Sequence, residues 1–156
     1  MPSKAPRAPR KRRVAVISDT HERLPAHVVE AIREADEIWH LGDVMSRSII
    51  DLLAQLRPSY RVIRGNCDSV MEWPLIETFT LCGTRFHLEH IPPRHPPQGA
   101  DLLLHGHTHV PRDEMIGAVR YLNPGSVGKA NKGAPASYAW LDLETGTIPT
   151  WKVVLV

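Results

Sequence analysis

The sequence predicts an α/β fold, and two patterns carry this prediction. In the first half of the chain, short apolar segments rich in Val and Ile alternate with amphipathic segments of helical period. In the second half the helical pattern stops, and strand-like segments follow one another across turns that contain Gly and Pro. The first pattern is typical of parallel strands joined by helical crossovers, and the second is typical of hairpins.

The first half contains three predicted strands and two predicted helices in alternation. The strands are expected at residues 14–17, 37–41 and 60–63, and the helices at residues 25–35 and 46–56. Pro25 suits the first turn of a helix, and Pro58 ends the second helix.

The second half contains predicted strands and loops only. Hairpins are expected at residues 77–81 with 84–89 and at residues 136–143 with 147–154. Between them we expect a proline-rich loop at 91–99, a strand at 101–105, and a strand pair at 113–116 and 119–122.

The formal net charge of +2 hides an uneven distribution of charge. Residues 1–13 hold six of the 19 Lys and Arg residues and no acidic residue, which leaves 13 basic against 17 acidic side chains elsewhere. We expect residues 1–12 to form a disordered basic tail, because such a segment buries too little apolar area to become ordered. Residues 13–156 are then expected to form a single domain of ordinary size.

Composition also indicates the cellular compartment. No apolar run reaches the roughly 18 residues that span a bilayer, and no apolar signal segment follows the basic N-terminus. Cys67 and Cys82 are too few for a disulfide framework. We therefore expect a cytoplasmic protein with reduced thiols and no membrane partner.

Polar clusters follow several predicted strands. They are SDTH at 18–21, GD at 42–43, GNCD at 65–68 and GHTH at 106–109. Ligands of open α/β sheets bind at the carboxyl ends of strands, so we expect these clusters to meet in space. Within the pairs Asp19 with His21 and His107 with His109, side chains two residues apart on an extended segment are expected to point the same way.

The donor atoms in these clusters are carboxylate and amide oxygens and imidazole nitrogens. This set suits Mn²⁺, Ni²⁺, Zn²⁺, Fe or Mg²⁺ rather than a Cys-rich structural zinc site. It exceeds what one ion needs, so we expect two divalent ions that share a carboxylate. Two cations about 3.5–4 Å apart clamp the attacking and leaving oxygens of a phosphoryl displacement, which makes a phosphate ester the expected substrate class.

The ordered series SDTH, GD, GNCD, a histidine that closes a strand, GHTH and NPGSV resembles the calcineurin-like metallophosphoesterases. The resemblance is strongest to the small bacterial and archaeal phosphodiesterases, and it covers residues 13–156. It implies a four-layer α/β/β/α sandwich of the metallo-dependent phosphatase-like kind. It also implies hydrolysis of phosphate esters by attack of a metal-bridging hydroxide, with phosphodiesters as the expected substrates and phosphomonoesters as the alternative.

The resemblance further implies a role for individual residues. Two ions are expected, with Mn²⁺ as the first choice for both, and one of them would be held by Asp19, His21 and His109. The other would be held by Asn66, His90 and His107, with Asp43 bridging the two. Asn66 and Asp43 are the expected catalytic residues, and the expected residues of the substrate pocket are Cys67, Asp68 and Glu22.

Three positions depart from the family pattern. Cys67 stands where many relatives have a histidine that assists the leaving group, so the metals and water are expected to carry more of that work. Ile91 replaces the glycine that usually follows the histidine at position 90. Glu22 replaces a glycine that is common after His21.

Other histidines remain as alternatives or structural residues. His87 and His95 lie near His90 in the sequence and could replace it as a ligand. His40 and His105 are expected to be structural, although His40 could also support a metal ligand. Ser126 is not expected to be a nucleophile, because no His–Asp relay is recognisable around it.

Two function classes compete. The leading hypothesis is a phosphoesterase acting on small phosphate esters, with a homodimer left open and nucleic acid not expected as a partner. The alternative is a non-catalytic protein-binding scaffold on the same fold, as in the small retromer subunit of eukaryotes. The complete set of seven candidate ligands favours the enzyme.

Overall fold

The computed structural model describes residues 5, 7, 8, 10–129, 131 and 133–156. Its elements in chain order are β1 (Lys11–Ile17), α1 (Ala26–Ile32), β2 (Glu37–His40), α2 (Arg47–Gln55), β3 (Ser59–Val62), β4 (Ile76–Leu81), β5 (Thr84–Glu89), β6 (Leu102–Leu104), β7 (Arg112–Ile116), β8 (Val119–Asn123), β9 (Ser137–Glu144) and β10 (Thr150–Leu155).

The strands form two five-stranded sheets. The first sheet has the order β10-β9-β1-β2-β3, and the second has the order β4-β5-β6-β8-β7. As predicted, β1, β2 and β3 are parallel neighbours. The last hairpin returns to the first sheet, where β9 pairs antiparallel with β1.

The first strand begins earlier than the sequence predicted. Lys11 and Arg12 pair with Glu144 and Leu143 of β9, so both lie inside β1 and not in a tail. The physical reason is that β9 is long enough to offer backbone partners to these residues, although their side chains are polar. Most of residues 1–10 lies outside the described part of the chain, and the predicted disorder there stays a prediction.

Two apolar layers explain why β1 is apolar at every position from Val14 to Ile17. Val14 and Val16 face the second sheet and pack in the layer between the two sheets. Ala15 and Ile17 face the helices and pack with residues such as Val28. A strand that is covered on both faces has no solvent side, so it shows no alternation of polar residues.

Both helices cover the outer face of the first sheet, with Ile32 of α1 and Leu53 of α2 fully buried there. The outer face of the second sheet carries a small cluster that includes Leu103, Val119 and Tyr121. The proline-rich segment crosses this face, and the Tyr121 hydroxyl donates a hydrogen bond to the carbonyl of Pro93 (3.2 Å). The α/β sandwich is confirmed, and within the described residues a proline-rich loop takes the place of a helix in its outermost layer. No described helix has the length and apolar character needed to cross a membrane.

Candidate functional site

Backbone hydrogen bonds join the loops that follow several strands at one end of the sandwich. The amide of Asp19, after β1, donates to the carbonyl of Gly42, after β2 (3.0 Å). The amide of Gly106, after β6, donates to the carbonyl of His90, after β5 (3.1 Å). The loops of both sheets therefore meet, as the positions of the polar clusters predicted.

All seven predicted ligand residues come together at this end. In five of them, carboxylate oxygens lie 3.2–3.8 Å from imidazole nitrogens. These five are Asp19, His21, Asp43, His90 and His109. The other two contact each other, since Nδ1 of His107 lies 3.0 Å from Oδ1 of Asn66. The rings of His90 and His107 connect the two groups, with centroids 5.4 Å apart.

The backbone at these residues differs from the prediction. Asp19, His21, Asp43, His107 and His109 all have positive φ, between 45° and 69°. The two pairs therefore do not lie on extended segments, and the predicted reason for their convergence was wrong. Left-handed backbone is uncommon for residues other than glycine and is concentrated at functional sites, where the surrounding structure enforces it.

Asp19 is the fully buried floor of the site. Its Oδ2 accepts hydrogen bonds from the Ser18 hydroxyl (2.6 Å) and from the backbone amide of His107 (3.2 Å). Its Oδ1 points to His109 Nε2 (3.2 Å) and has no hydrogen-bond partner among the described residues. Ser18 is a supporting residue that the sequence analysis quoted within its motif but did not single out.

Glycine is required beside this carboxylate. A Cβ on Gly106 would collide with the Ser18 hydroxyl and stand 2.6 Å from Oδ2 of Asp19. A Cβ on Gly65 would likewise overlap the Asp43 carboxylate. The glycines of the GNCD and GHTH clusters therefore make room for the two carboxylates.

Asp43 lies between two histidines. Its Oδ2 is 3.3 Å from Nε2 of His90 and 3.7 Å from Nε2 of His21. Its Oδ1 accepts a hydrogen bond from the backbone amide of Cys67 (2.8 Å), which fixes the carboxylate. Oδ1 of Asp19 lies almost as close to the same two histidines, 3.8 and 3.7 Å away, so both carboxylates occupy the middle of the site.

His90 is oriented as a ligand would be. Its Nδ1 donates to the carbonyl of Leu41 (2.7 Å), which places the proton on that nitrogen and turns Nε2 towards Asp43 and Asp19. Nε2 has no hydrogen-bond partner in the described chain. Histidines that bind metals commonly donate their other ring N–H to a backbone carbonyl in this way.

His21 and His109 form a second imidazole pair. Their Nε2 atoms are 3.3 Å apart, and Nδ1 of His21 faces the sulfur of Met45 (2.9 Å). With a weak acceptor on one side of the ring, the other nitrogen of His21 is directed at the shared space. Met45 was not predicted as a neighbour, and no sequence signal pointed to it.

The donor set fits divalent cations. Asp19, His21 and His109 form one group whose ligand atoms all lie within 4.8 Å of one another, and Asp19, Asp43 and His90 form another. The buried Oδ1 of Asp19 and Nε2 of His90 lack hydrogen bonds, which is costly unless a cation or a proton satisfies them. Oxygen and imidazole donors suit the ions that the sequence predicted.

Burial and neighbouring polar groups shift the pKa values of Asp19, Asp43 and His109. Burial raises the pKa of Asp19 above its ordinary value, and the nearby His90 and the Ser18 hydroxyl offset only part of that effect. Burial acts in the same direction on Asp43, but there the adjacent His90 imidazole and the hydrogen bond from the Cys67 amide outweigh it and hold its pKa well below the usual range. Burial lowers the pKa of His109, which keeps its imidazole neutral and able to bind a metal.

His40 is structural, as expected. It is buried, its Nδ1 accepts from the amide of Gly42 (3.1 Å), and its Nε2 donates to the Thr20 hydroxyl (3.0 Å), which in turn donates to the carbonyl of Val44 (3.1 Å). Burial lowers the pKa of His40 to about 3, so the ring stays neutral. His40 thus ties the Asp19 loop to the Asp43 loop.

His105 and Ser126 also support the backbone. Burial lowers the pKa of His105 to about 4, and its Nδ1 donates to the carbonyl of Gly106 (2.9 Å). The Ser126 hydroxyl donates to the carbonyl of Asp19 (2.9 Å) and accepts from the amide of Lys129 (3.0 Å). Both of these hydrogen bonds hold a loop in place.

The alternative histidines lie elsewhere. His87 pairs with Glu89 (2.8 Å) on β5, and His95 lies exposed in the proline-rich segment. Ile91 is half exposed and does not have positive φ, so glycine is not needed at that position.

The predicted pocket residues divide into two kinds. Asp68 accepts from the amides of Met45 (2.9 Å) and Gly65 (2.8 Å), which makes it a loop support. Cys67 and Glu22 are exposed near the site, and Cys67 and Cys82 are both free thiols.

A family model and the curated relatives of the chain indicate the same family. Residues 13–146 match the model of the calcineurin-like phosphoesterase superfamily domain. The chain is 32% identical, in an alignment 158 positions long, to phosphodiesterase YfcE of Escherichia coli, with 80% of this chain and 84% of that protein covered. It is 34% identical over 131 residues to a protein named probable metallophosphoesterase of Methanothermobacter thermautotrophicus, with coverage of 72% and 76%.

Solved structures agree with the fold. The structure of YfcE, described as a phosphoesterase from E. coli, superposes with a TM-score of 0.72 at 30% identity and covers 83% of this chain and 88% of that one. Vps29 of Entamoeba histolytica, solved in complex with Zn²⁺, superposes with a TM-score of 0.73 at 19% identity over 91% of this chain and 98% of its own. The second likeness concerns the fold alone.

Proposed function

The chain belongs to the calcineurin-like phosphoesterase superfamily, and from that premise we propose that it is a phosphodiesterase with a two-metal centre. The family implies divalent metal ions, and YfcE carries the name phosphodiesterase at 32% identity. The observation that supports the proposal most is the pair of buried, unsatisfied atoms Asp19 Oδ1 and His90 Nε2, which face each other across 3.8 Å.

Two groups of residues would hold the ions. Asp19, His21 and His109 would bind one, Asn66, His90 and His107 would bind the other, and Asp43 would lie between them. Ions of this kind stabilise negative charge on phosphoryl oxygens and lower the pKa of water, so that hydroxide is available near neutral pH. The number and the identity of the ions, with Mn²⁺ as the first choice, are part of the proposal.

The residues of the chain contribute orientation and access. Asp19 and His90 are buried, whereas Asn66, Cys67 and His107 are exposed, so a substrate reaches the centre from the side of Asn66. Oδ1 of Asn66 accepts from Nδ1 of His107, and among the described residues the only partner of the Asn66 amide nitrogen is the Cys67 sulfur, 3.5 Å away. That N–H₂ group is available to donate to a phosphoryl oxygen, which supports the proposed catalytic role of Asn66.

Metal-stripped protein tests the proposal. Hydrolysis of bis-p-nitrophenyl phosphate and of p-nitrophenyl phosphate is measured after separate addition of Mn²⁺, Ni²⁺, Zn²⁺ and Mg²⁺. We expect at least one metal to restore hydrolysis of the diester. His109→Ala and Asn66→Ala should each reduce kcat/KM by about 100-fold or more, the scale of loss seen when a transition-state donor is removed.

His27→Ala is the matched control, because His27 is exposed on α1 and is not among the residues that converge at the site. It should retain full activity. A folded protein that hydrolyses neither ester with any of the four metals would overturn the proposal and favour the scaffold alternative.

A further inference from the structure

An apolar pocket of 230 Å³ opens beside the candidate centre. Leu75, Ile76 and Ile91 supply its apolar surface, and Arg64 contributes a cationic side chain. Asn66 and His90 line it as well, so the pocket and the proposed metal site share two side chains. A group attached to a phosphoryl at Asn66 would therefore reach this pocket directly.

The apolar side chains of the pocket are more exposed than the core requires. Leu75, Ile76 and Ile91 keep 55%, 48% and 48% of their surface accessible. Three large apolar side chains that share one concave surface are more than the scattered exposed residues of an ordinary surface, and such patches mark binding sites. Binding of an apolar group here would remove part of this surface from water.

The charges that line the pocket are partly satisfied within the protein. Glu89 accepts from Nε2 of His87 (2.8 Å), so its charge already has a partner. The Arg64 guanidinium donates to the carbonyl of Met71 (3.4 Å) and contacts its sulfur (2.9 Å). A guanidinium in this position suits the face of an aromatic ring and the negative charge of a phosphate diester.

A neighbouring pocket of 270 Å³ has a different character. Val70 and Trp73 give it some apolar surface, but polar groups, among them Ser46, Arg47 and Asp68, make up the larger share of its lining. Of the two pockets next to the Asn66-Cys67 pair, the one at Leu75 and Ile91 is therefore the one suited to an apolar group.

We propose that the pocket formed by Leu75, Ile76 and Ile91 binds an aromatic ester group, and that the substrates are phosphodiesters with at least one aromatic ester group. The proposal rests on the proposed function, because it places the ring relative to a phosphoryl group at Asn66. The volume agrees, since a cavity of about 150 Å³ holds benzene and 230 Å³ accommodates one substituted ring.

Binding of two phosphonates that differ only in the ring tests this inference. Phenylphosphonate and methylphosphonate are titrated by calorimetry into the Mn²⁺-loaded protein, so no turnover is needed. We expect phenylphosphonate to bind at least about tenfold more tightly, because part of a ring surface is buried. Leu75→Ser and Ile91→Ser should each reduce this preference to about threefold or less.

The variants are chosen to remain folded. Leu75 and Ile91 are half exposed and lie at different positions of the chain, and Leu75 is remote in sequence from every proposed ligand except Asn66. Met115→Ser is the matched control, because Met115 is 59% exposed on β7 and does not line the pocket. It should keep the full preference for phenylphosphonate.

The outcomes separate the pocket from the proposed function. If methylphosphonate binds and the ring adds less than about twofold, the pocket proposal is overturned and the metal centre stands. If neither phosphonate binds and no ester is hydrolysed, both proposals are overturned. If Leu75→Ser leaves the preference unchanged and instead dissociates a dimer in sedimentation experiments, the surface is a contact between copies of the chain, and the pocket proposal is overturned.

Discussion

The two halves of the candidate metal centre differ in how their polar atoms are satisfied. In the half formed by Asp19, His21 and His109, a buried carboxylate oxygen without a hydrogen bond faces ring nitrogens at 3.2 and 3.7 Å. In the other half, Asn66 and His107 are exposed and bond to each other at 3.0 Å. The inner half, Asp19 with His21 and His109, leaves two buried atoms without hydrogen bonds in the described chain, Oδ1 of Asp19 and Nδ1 of His109. The outer half leaves one, Nε2 of His90, while its two exposed residues bond to each other.

This difference separates two tasks. A buried group that the chain leaves unsatisfied stores free energy that ligand binding recovers, so the inner half should bind its ion more strongly. The outer half can exchange a hydrogen bond for a ligand at little cost, which suits the side from which substrate enters. The comparison therefore predicts unequal effects for equivalent substitutions in the two halves.

The largest effect is expected for Asp19→Asn. Asn keeps an oxygen that can accept from Ser18 and from the His107 amide, so the fold should persist. The loss of charge at the unsatisfied Oδ1 weakens binding of the inner ion. Removal of a group that only supports a ligand typically costs about 10- to 100-fold, so for the ligand itself we expect kcat/KM on bis-p-nitrophenyl phosphate to fall by about 10³-fold.

His107→Ala is the comparison in the outer half. Because it removes an exposed ligand of the more weakly bound ion, we expect a smaller loss of about 10- to 100-fold, the scale seen for groups that only support a ligand. Asp51→Asn, at an exposed position of α2, serves as the control and should be neutral. Equal losses from Asp19→Asn and His107→Ala would break the distinction between the two halves.

A smaller effect is expected from metal binding on stability. An ion present at about 100 times its Kd stabilises the folded state by about 2.7 kcal/mol, which for a chain of this size raises Tm by about 5–10 °C. Because the inner half gains most from a cation, His109→Ala should abolish most of the rise caused by Mn²⁺. His107→Ala should retain most of it in thermal unfolding followed by circular dichroism.

His27→Ala is the control in the same experiment, because it removes an exposed histidine of α1 outside the site. It should show the full rise. If His107→Ala removed the rise while His109→Ala preserved it, the outer half would be the stronger site, and the assignment of the two halves would be reversed.

The sequence predicted which residues meet but not how they meet. Polar clusters after strands predicted six of the seven side chains, because the carboxyl ends of parallel strands share one edge whatever the details of the loops. The seventh, His90, was predicted only from the family resemblance. The positive φ of Asp19 and His107 could not be predicted, since Asp and His are only moderately favoured in that conformation and the surrounding loops enforce it. The pairing of β9 with β1 was also missed, because it joins segments more than 100 residues apart and leaves no local pattern.

The role of Ile91 was also beyond what the sequence alone could predict. Ile91 stands where the family has a glycine, yet its φ is not positive, and its side chain lines a pocket. The substitution matters because of the pocket that surrounds the side chain, and sequence periodicity does not predict such surroundings.

The last effect concerns His40, whose hydrogen bonds join the Asp19 and Asp43 loops behind the inner half. Its pKa is about 3 in the folded protein and near 6.5 when unfolded. Between these pH values the unfolded chain binds a proton that the folded chain does not bind, so stability is lost as the pH falls from about 6.5 towards 3. The contribution of one such proton is about 1.4 kcal/mol per pH unit.

His40→Gln removes this titration while keeping a donor for Thr20 and an acceptor for the Gly42 amide. We therefore expect the metal-free variant to lose stability less steeply than the wild type between pH 6.5 and 4.5, as measured by urea unfolding in the presence of a chelator. His27→Gln, at an exposed site, should follow the wild-type slope. Identical slopes for all three proteins would mean that His40 becomes protonated without unfolding, and that the link between the two loops does not depend on a neutral imidazole.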